Sequence, residues 1–338
     1  MTSILSTILG ALLRTLEKFG IPTTLLFPWL DVLNWELFDE TIREAFWDNG
    51  IELPGETPWQ KAAMALTHAT HVYVFLGSGF SVDAGIASFR DRHGDARAIY
   101  DDVDVSRMTN AETFQSDPEA QLAWHQRWRL VMESATPHVG QRALVEMLLG
   151  PSQGTDQERP RHRRTPEVVF VTQNVDLLLE EAIAQRYPDQ RPDGVEILHL
   201  HGRLDRARCH ACGVMAYGEH EQLPDLTRLP PCAHCGGRLR PDVVWFGEDL
   251  PVKAWKRARE AAGRADVCLI IGTSALVHPA ATLPMLAREH GARLIEINPR
   301  ESLLTPFCDV HLEGNAKEAL VRLQEAMSAL SLEGTGRS

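Results

Sequence analysis

HVYVFLGSGFSVDAGIASFRD, residues 71–91, is the stretch on which the reading of this chain turns. An apolar run from His71 to Leu76 is followed at once by Gly77-Ser78-Gly79 and then by a helical pattern. Glycines in that place permit a tight turn and let backbone N–H groups approach a pyrophosphate at a helix start. Ser81 adds a hydroxyl donor. Two features set the stretch apart from the ordinary nicotinamide-dehydrogenase fingerprint. Position 82 is Val where a third glycine would stand, and no second strand ending in an acidic residue follows about 20 residues later. Phe89 and Arg90 lie just beyond, where they could cover a bound cofactor.

Working outward, short apolar runs alternate with helical patterns. The runs are HVYVFL (71–76), EVVFVT (167–172), EILHL (196–200), DVVWF (242–246), DVCLIIG (266–272) and RLIEIN (293–298). Several lack a clean period of two, as parallel strands covered on both faces do. Amphipathic segments at 138–150 and 176–187 lie between them. This alternation predicts an α/β fold with a doubly wound parallel sheet. The polar stretch 151–166, with three prolines, reads as a surface loop. Leu5, Ile8, Leu12 and Leu16 recur at helical spacing and predict an amphipathic helix in the N-terminal extension.

Three further clusters carry chemistry. VVFVTQNVD places Gln173, Asn174 and Asp176 directly after a buried-strand pattern, where open α/β sheets bind ligands. An amide and a carboxylate there suit ribose hydroxyls and a carboxamide, and either Asn174 or Asp176 alone also suits a helix cap. EILHLHG carries His199 and His201 at alternate positions. His201 lies nearer the strand's carboxyl end and is the better general-base candidate, since imidazole titrates near neutrality. Cys209-x2-Cys212 and Cys232-x2-Cys235, with 19 residues between the pairs, have the spacing of a tetrahedral structural zinc site. His210 and His234 sit inside the pairs as alternative ligands, but four thiolates form the simpler set. Such a site is closed, so its metal holds structure and does not activate water.

Composition bounds the rest. The chain has 338 residues, 44% hydrophobic and 24% charged, which excludes a disordered or fibrous protein and suggests about two domains. A formal net charge of -12 argues against a general nucleic-acid binder and suits a cationic partner. No run reaches the roughly 18 uncharged apolar residues of a membrane span. The N-terminus lacks a basic n-region and a small-residue cleavage site. With clustered thiols, this predicts a reducing compartment, the cytoplasm.

Taken together, the segments resemble the sirtuins, the family of NAD-dependent protein lysine deacylases. The resemblance covers about 68–325, in family order. GSGFSVDAGIASFR (77–90) looks like the cofactor loop G-A-G-x-S-x-x-S-G-I-P-x-F-R, TQNVD like T-Q-N-x-D, and HLHG like the catalytic L-H-G. RPDVVWFGEDLP (240–251) is similar to the substrate loop, and GTSALVHPAATLP (272–284) and EINP (296–299) to two later NAD motifs.

That resemblance implies a Rossmann-type domain over 63–91, 135–202 and 240–330. It also implies a small domain, a helical module at 92–134 and a zinc ribbon at 203–239, after an extension over 1–62. Gly77, Ser78, Gly79 and Ser81 would hold the phosphates of NAD, with Phe89 and Arg90 over the reacting ribose. Gln173 would contact a ribose hydroxyl, and Asn174 and Asp176 would serve the nicotinamide side. Gly272, Thr273, Ser274, Asn298 and Asn315 would line the adenosine side. Val243, Phe246, Gly247 and Glu248, with Leu276 and Val277, would grip an acylated lysine peptide by strand addition, a mode with little sequence specificity. Catalysis would rest on His201 and Asn174. The acyl oxygen attacks the ribose carbon as nicotinamide leaves. His201 then takes a proton from a ribose hydroxyl, which attacks the resulting alkylimidate. An NAD glycohydrolase or ADP-ribosyltransferase on the same fold is the competing reading.

The chain departs from the pattern at Ser78, Ala84, Ala87 and Leu179, and in HVGQ (138–141). Within DPEAQLAWHQRWRLVM (117–132), His125 and Trp128 stand where the desuccinylase branch carries Tyr-x-x-Arg. The acyl group is therefore expected to be acetyl or a longer neutral chain.

Overall fold

A computed structural model describes residues 57–88, 105–150, 166–219 and 221–335. The expected N-terminal helix, Phe89 and Arg90, and nearly all of the 151–166 loop lie outside them. In chain order the structure runs α1 (Pro58–His68), β1 (His71–Leu76), α2 (Gly79–Val82), α3 (Val105–Met108), α4 (Ala111–Ser116) and α5 (Pro118–Ser134). It continues through α6 (Val139–Leu149), β2 (Glu167–Thr172), α7 (Leu178–Arg186), β3 (Val195–His199), β4 (Gly202–Cys209), β5 (Met215–Tyr217) and β6 (Leu239–Val243). The remainder is α8 (Val252–Ala262), β7 (Val267–Ile271), α9 (Leu283–Glu289), β8 (Arg293–Asn298), β9 (Val310–Glu313) and α10 (Ala316–Thr335).

The main sheet has strand order β3-β2-β1-β7-β8-β9, and every pair is parallel. The chain starts in the middle, builds outward to β3, then returns to the far side of β1. β1 and β7 therefore flank the point at which strand order reverses. In an open α/β sheet that crevice is where ligands bind.

Both faces of β1 are buried, which is why its sequence is continuously apolar. Val72, Val74 and Leu76 point into a cluster formed with α1, α6, α7 and α10. Tyr73 and Phe75 point the other way, against α8 and α9. Each fully buried Val, Leu or Phe contributes about 1.5–3 kcal/mol. α1 starts on a Thr57–Gln60 capping box with Pro58 in its first turn, so its start is set locally. It spans the 62/63 position and buries Ala62 to Leu66 in the main core.

DVVWF does not supply a strand of the large sheet. The observed strand is Leu239–Val243, and it pairs antiparallel with β4 in a separate sheet ordered β5-β4-β6. The cysteine pairs supply the reason: they bring Leu239 opposite Cys209, so the following residues run back along β4. β9, four residues long, carried too weak a pattern to be expected from sequence.

At the carboxyl ends of β1 and β7 the two turns touch. A Cβ on Gly77 would lie 2.5 Å from the Gly272 oxygen, and one on Gly79 would lie 2.8 Å from the Gly272 Cα. A Cβ on Gly272, whose φ is +62°, would lie 2.6 Å from the Phe80 nitrogen. These contacts are backbone on backbone and cannot yield by a rotamer change. Gly272→Ala is expected to destabilise the protein by about 2–4 kcal/mol, from overpacking plus left-handed strain. Gly291 also has positive φ but nothing within 4 Å, so Gly291→Ala isolates the strain alone. Equal losses in denaturant melts of the two variants would refute the contact argument.

Candidate functional site

The turns that leave β1, β2, β7 and β8, and the residues that follow β3, form one hydrogen-bonded network. Asn174 sits just past β2; its Nδ2 donates to the Gly77 oxygen at 3.0 Å and to Ser81 Oγ at 3.1 Å. Ser81 in turn donates to Asp176 Oδ2 at 2.9 Å, and Asp176 Oδ1 accepts from the Leu178 N–H. Asp176 therefore meets the glycine turn and also the first N–H of α7, although Leu177 and not Asp176 is the residue at the cap. Burial raises its pKa, against the lowering effect of these bonds. Ser81 is itself buried, with its hydroxyl engaged by Asp176 and Asn174. The helix it belongs to, α2, is a single turn.

Thr273 joins the other half. Gln173 Nε2 donates to Thr273 Oγ1 at 3.3 Å, and Asn298 Nδ2 donates to the Thr273 oxygen at 2.8 Å. Ser274 and Leu276 are exposed on the same loop, with Val277 half-buried. Asn315 has another local job: its Oδ1 accepts from the Glu318 N–H and starts α10. It remains next to the site, because the Gly314 N–H donates to the Asn298 oxygen.

His201 is half-buried, and its Nδ1 lies 3.0 Å from the Gln173 oxygen. A carbonyl only accepts, so Nδ1 carries the proton and Nε2 is the basic nitrogen. Burial lowers the His201 pKa below 6.5, so the ring is neutral at pH 7. The His201 oxygen accepts from the Val244 N–H and thereby ties this residue to the substrate-loop motif.

That motif is more structural than its letters suggest. Val243 is buried with Phe114, Leu122 and Trp245, and its oxygen accepts from Arg240. Glu248 accepts from Arg240, from Arg208 and from the Trp245 N–H, so its carboxylate closes the turn on itself. Those contacts hold its pKa low despite burial. Phe246 is exposed, but its N–H donates to the Thr109 oxygen at 2.7 Å. Gly247, at φ +86°, is exposed beside it.

Several residues that sequence reading passed over support this arrangement. His138 and Gln141, in the HVGQ stretch, form a capping box for α6, and both donate to the Phe80 oxygen. His138 Nδ1 accepts two backbone N–H groups, so its proton sits on Nε2. The x-x-Gln spacing was a legible capping signal, but His at the cap obscured it. Arg240 lies over the Trp245 ring, 3.2 Å from its centroid. Trp245 Nε1 donates to His125 Nε2, and His125 Nδ1 meets the Gln121 oxygen. Burial pushes the His125 pKa down to about 4, so it is a fixed neutral link. Glu296, in the EINP stretch, is fully buried and accepts from Ser302, Thr305 and His311.

The four cysteines stand apart, at the far end of β4. From His201 to Cys209 is about 25 Å of extended chain. The four Sγ atoms all lie within 4.8 Å of one another. Cys209–Cys235 is 3.5 Å and Cys212–Cys232 is 3.8 Å. A tetrahedron with Zn–S of about 2.3 Å has edges of about 3.8 Å, so the set fits zinc. Gly213 and Gly236 take positive φ in the two knuckles. The His210 ring packs on Phe114 at 4.9 Å instead of joining the sulfurs. The purified protein is expected to hold one zinc per chain, unchanged in His210→Ala and His234→Ala and lost in Cys212→Ser. Elemental analysis decides this, and metal loss in the histidine variants would refute the all-cysteine set.

Among the described residues no helix is long and apolar enough to cross a membrane. A family model described as the Sir2 family matches residues 77–279. An NAD-dependent protein deacylase 2 from Pyrobaculum aerophilum is 37% identical over 264 residues, 77% of this chain and 92% of that protein. An NAD-dependent protein deacylase from Thermus thermophilus is 38% identical over 266 residues, 78% of this chain and 93% of that protein. A solved Sir2 homologue–NAD complex superposes with a TM-score of 0.64 at 33% identity, over 80% of this chain and 94% of that one. The matched segment contains the glycine turn, the TQNVD cluster, His201, the four cysteines and the Gly272 loop, and the chain belongs to the Sir2 family.

Proposed function

We propose that the protein is an NAD-dependent protein lysine deacylase that yields nicotinamide, O-acyl-ADP-ribose and the free lysine. The observation that carries this is His201, a neutral imidazole whose proton is fixed on Nδ1 by the Gln173 carbonyl. A base of that kind at the carboxyl end of a Rossmann-type sheet suits removal of a ribose hydroxyl proton. NAD supplies an electrophilic ribose carbon and nicotinamide as the leaving group. The acyl oxygen bonds to that carbon as the bond to nicotinamide breaks. His201 Nε2 accepts the hydroxyl proton, the freed oxygen attacks the acyl carbon, and water completes release of the lysine amine.

We assign Gly77, Ser78 and Gly79 to the phosphates, Gln173 to a ribose hydroxyl, and Asn174 and Asp176 to the nicotinamide side. Ser81 serves by fixing Asn174 and Asp176. Gly272, Thr273, Ser274, Asn298 and the neighbouring Asn315 take the adenosine side, and Phe89 and Arg90 the cover. The peptide runs between Phe246–Gly247 and Leu276–Val277. Val243 and Glu248 shape that groove from beneath. The Rossmann-type body comprises 63–91, 135–202 and 240–330, with 92–134 and 203–239 as the small unit. The compartment is the cytoplasm, as suits a thiolate-held zinc.

The acyl group is acetyl or a longer neutral chain. His125 is buried, neutral and spent on Trp245 and Gln121. Arg129 donates to the Pro224 and Leu223 carbonyls and pairs with Glu133. Arg127 faces solvent. None of these supplies a buried cation for an acidic acyl chain. A Sir2 homologue, 26% identical with a TM-score of 0.58, was solved bound to a myristoylated histone peptide, which supports a long neutral acyl chain here.

Mass spectrometry of the NAD products, with and without an acylated histone-type peptide, tests the reaction. O-acyl-ADP-ribose is expected only with peptide; free ADP-ribose formed equally without it supports the glycohydrolase reading. The neutral imidazole is the active form and its pKa is lowered, so kcat/KM should hold at pH 7 and fall only below about pH 6.5. His201→Ala should abolish turnover, and full activity in that variant refutes the assignment. Acetyl- or myristoyl-lysine peptides should outpace the succinyl peptide in kcat/KM, and the reverse order refutes the acyl assignment.

A further inference from the structure

His199 has no part in the mechanism above, yet it is almost as enclosed as His201. Its Nδ1 lies 3.2 Å from the Asn174 oxygen. Its Nε2 lies 2.5 Å from Glu180 Oε1 on α7. The two histidines thus face successive carbonyls of one turn: His201 takes Gln173 and His199 takes Asn174. Alternate residues at a strand end share a face, and this is what lets the pair act together.

The contacts pin the ring at both ends. A backbone carbonyl only accepts, so Nδ1 donates to Asn174. Nε2 and Glu180 Oε1 share a second hydrogen bond, which ties the ring to α7. Glu180 Oε2 is buried with no hydrogen-bond partner among the described residues, so this carboxylate depends on His199. Asp176 faces the pair from the same turn, and Glu181 adds a further negative charge beside Asp176 and Glu180. Arg203, on β4, is the cation that acts on Glu180. Glu196, earlier on β3, is paired with Arg257.

We infer that His199 and Glu180 form a hydrogen-bonded latch that positions Asn174, and so the nicotinamide side of the site, from behind. This rests on the deacylase reading for what Asn174 contacts, but not for the latch itself. The Asn174 side chain reaches Gly77 and Ser81, while its backbone oxygen is held by His199. Release of that oxygen lets the turn shift without removing any group that touches a substrate. His199 is thus a positioning residue, and misplacement of about 1 Å can cost about 100-fold in rate.

The test uses the full chain with 15N-labelled histidine. The His199 signal, assigned by its loss in His199→Ala, should show a protonated Nδ1 and an Nε2 resonance that shifts in Glu180→Gln. An Nε2 resonance that Glu180→Gln leaves unchanged overturns the latch. His199→Ala should lower kcat by about 10- to 100-fold with the peptide KM within about twofold. Glu180→Ala should lower it in the same way, and Glu180→Gln, which can still meet Nε2, should recover most of that loss. Wild-type kcat in His199→Ala, or no recovery in Glu180→Gln, overturns the positioning role. If His199→Ala does not fold, the Glu180 pair and the wild-type spectrum still decide. Absence of peptide-dependent product from the wild type counts against the deacylase reading and leaves the spectrum to judge the latch.

Discussion

The structure depends on one close contact: the turn after β1 meets the turn after β7 with backbone against backbone. Gly77, Gly79 and Gly272 leave no room there for a Cβ. The contact lies at the reversal point of the main sheet, so it sets how the two halves of the α/β layer meet. It also brings Thr273 within reach of Gln173 and Asn298. The glycines were read as space for a pyrophosphate. They are at least as much space for each other.

From that contact the polar groups follow in order. Asn174 reaches back to Gly77, Ser81 bridges Asn174 to Asp176, and Asp176 accepts from the first N–H of α7. Two histidines close the far side on the Gln173 and Asn174 carbonyls. Asn174, Ser81 and Asp176 are all paired with one another or with backbone, as buried polar groups must be where an unpaired one costs about 1–3 kcal/mol. The side chains best placed to meet a ligand are therefore the same ones that hold the turns together. The zinc ribbon serves the site at a distance, by aligning β6 with β4 so that Val244 reaches the His201 carbonyl.

Much of this was legible in the letters. β1, β2 and β8 fell where the apolar runs placed them, because strands buried on both faces must be apolar throughout. The cysteine spacing identified its own site, because four ligands for one ion need close pairs and tight knuckles. Less legible was DVVWF, apolar enough for the main sheet but drawn into the small one by the pairing of Leu239 with Cys209. Val243 and Glu248 read as peptide contacts; Val243 is packed among Phe114, Leu122 and Trp245, and Glu248 accepts from the Trp245 N–H. His199 read as the lesser of two histidines, because nothing in its neighbourhood announces Glu180, 19 residues away in sequence.

The sequence by itself determined β1, β2 and β8, the clustered cysteines and the candidate base, since each rests on local spacing: period, turn chemistry or paired cysteines. Only the tertiary structure decided which nitrogen of each histidine carries a proton, which glycines face backbone, and where the arginines of α5 spend their charge. Those properties are set by partners far apart in the chain. Arg129 meets Pro224, Trp245 meets His125, and Gly77 meets Gly272. A linear pattern carries no information on distances that folding alone closes.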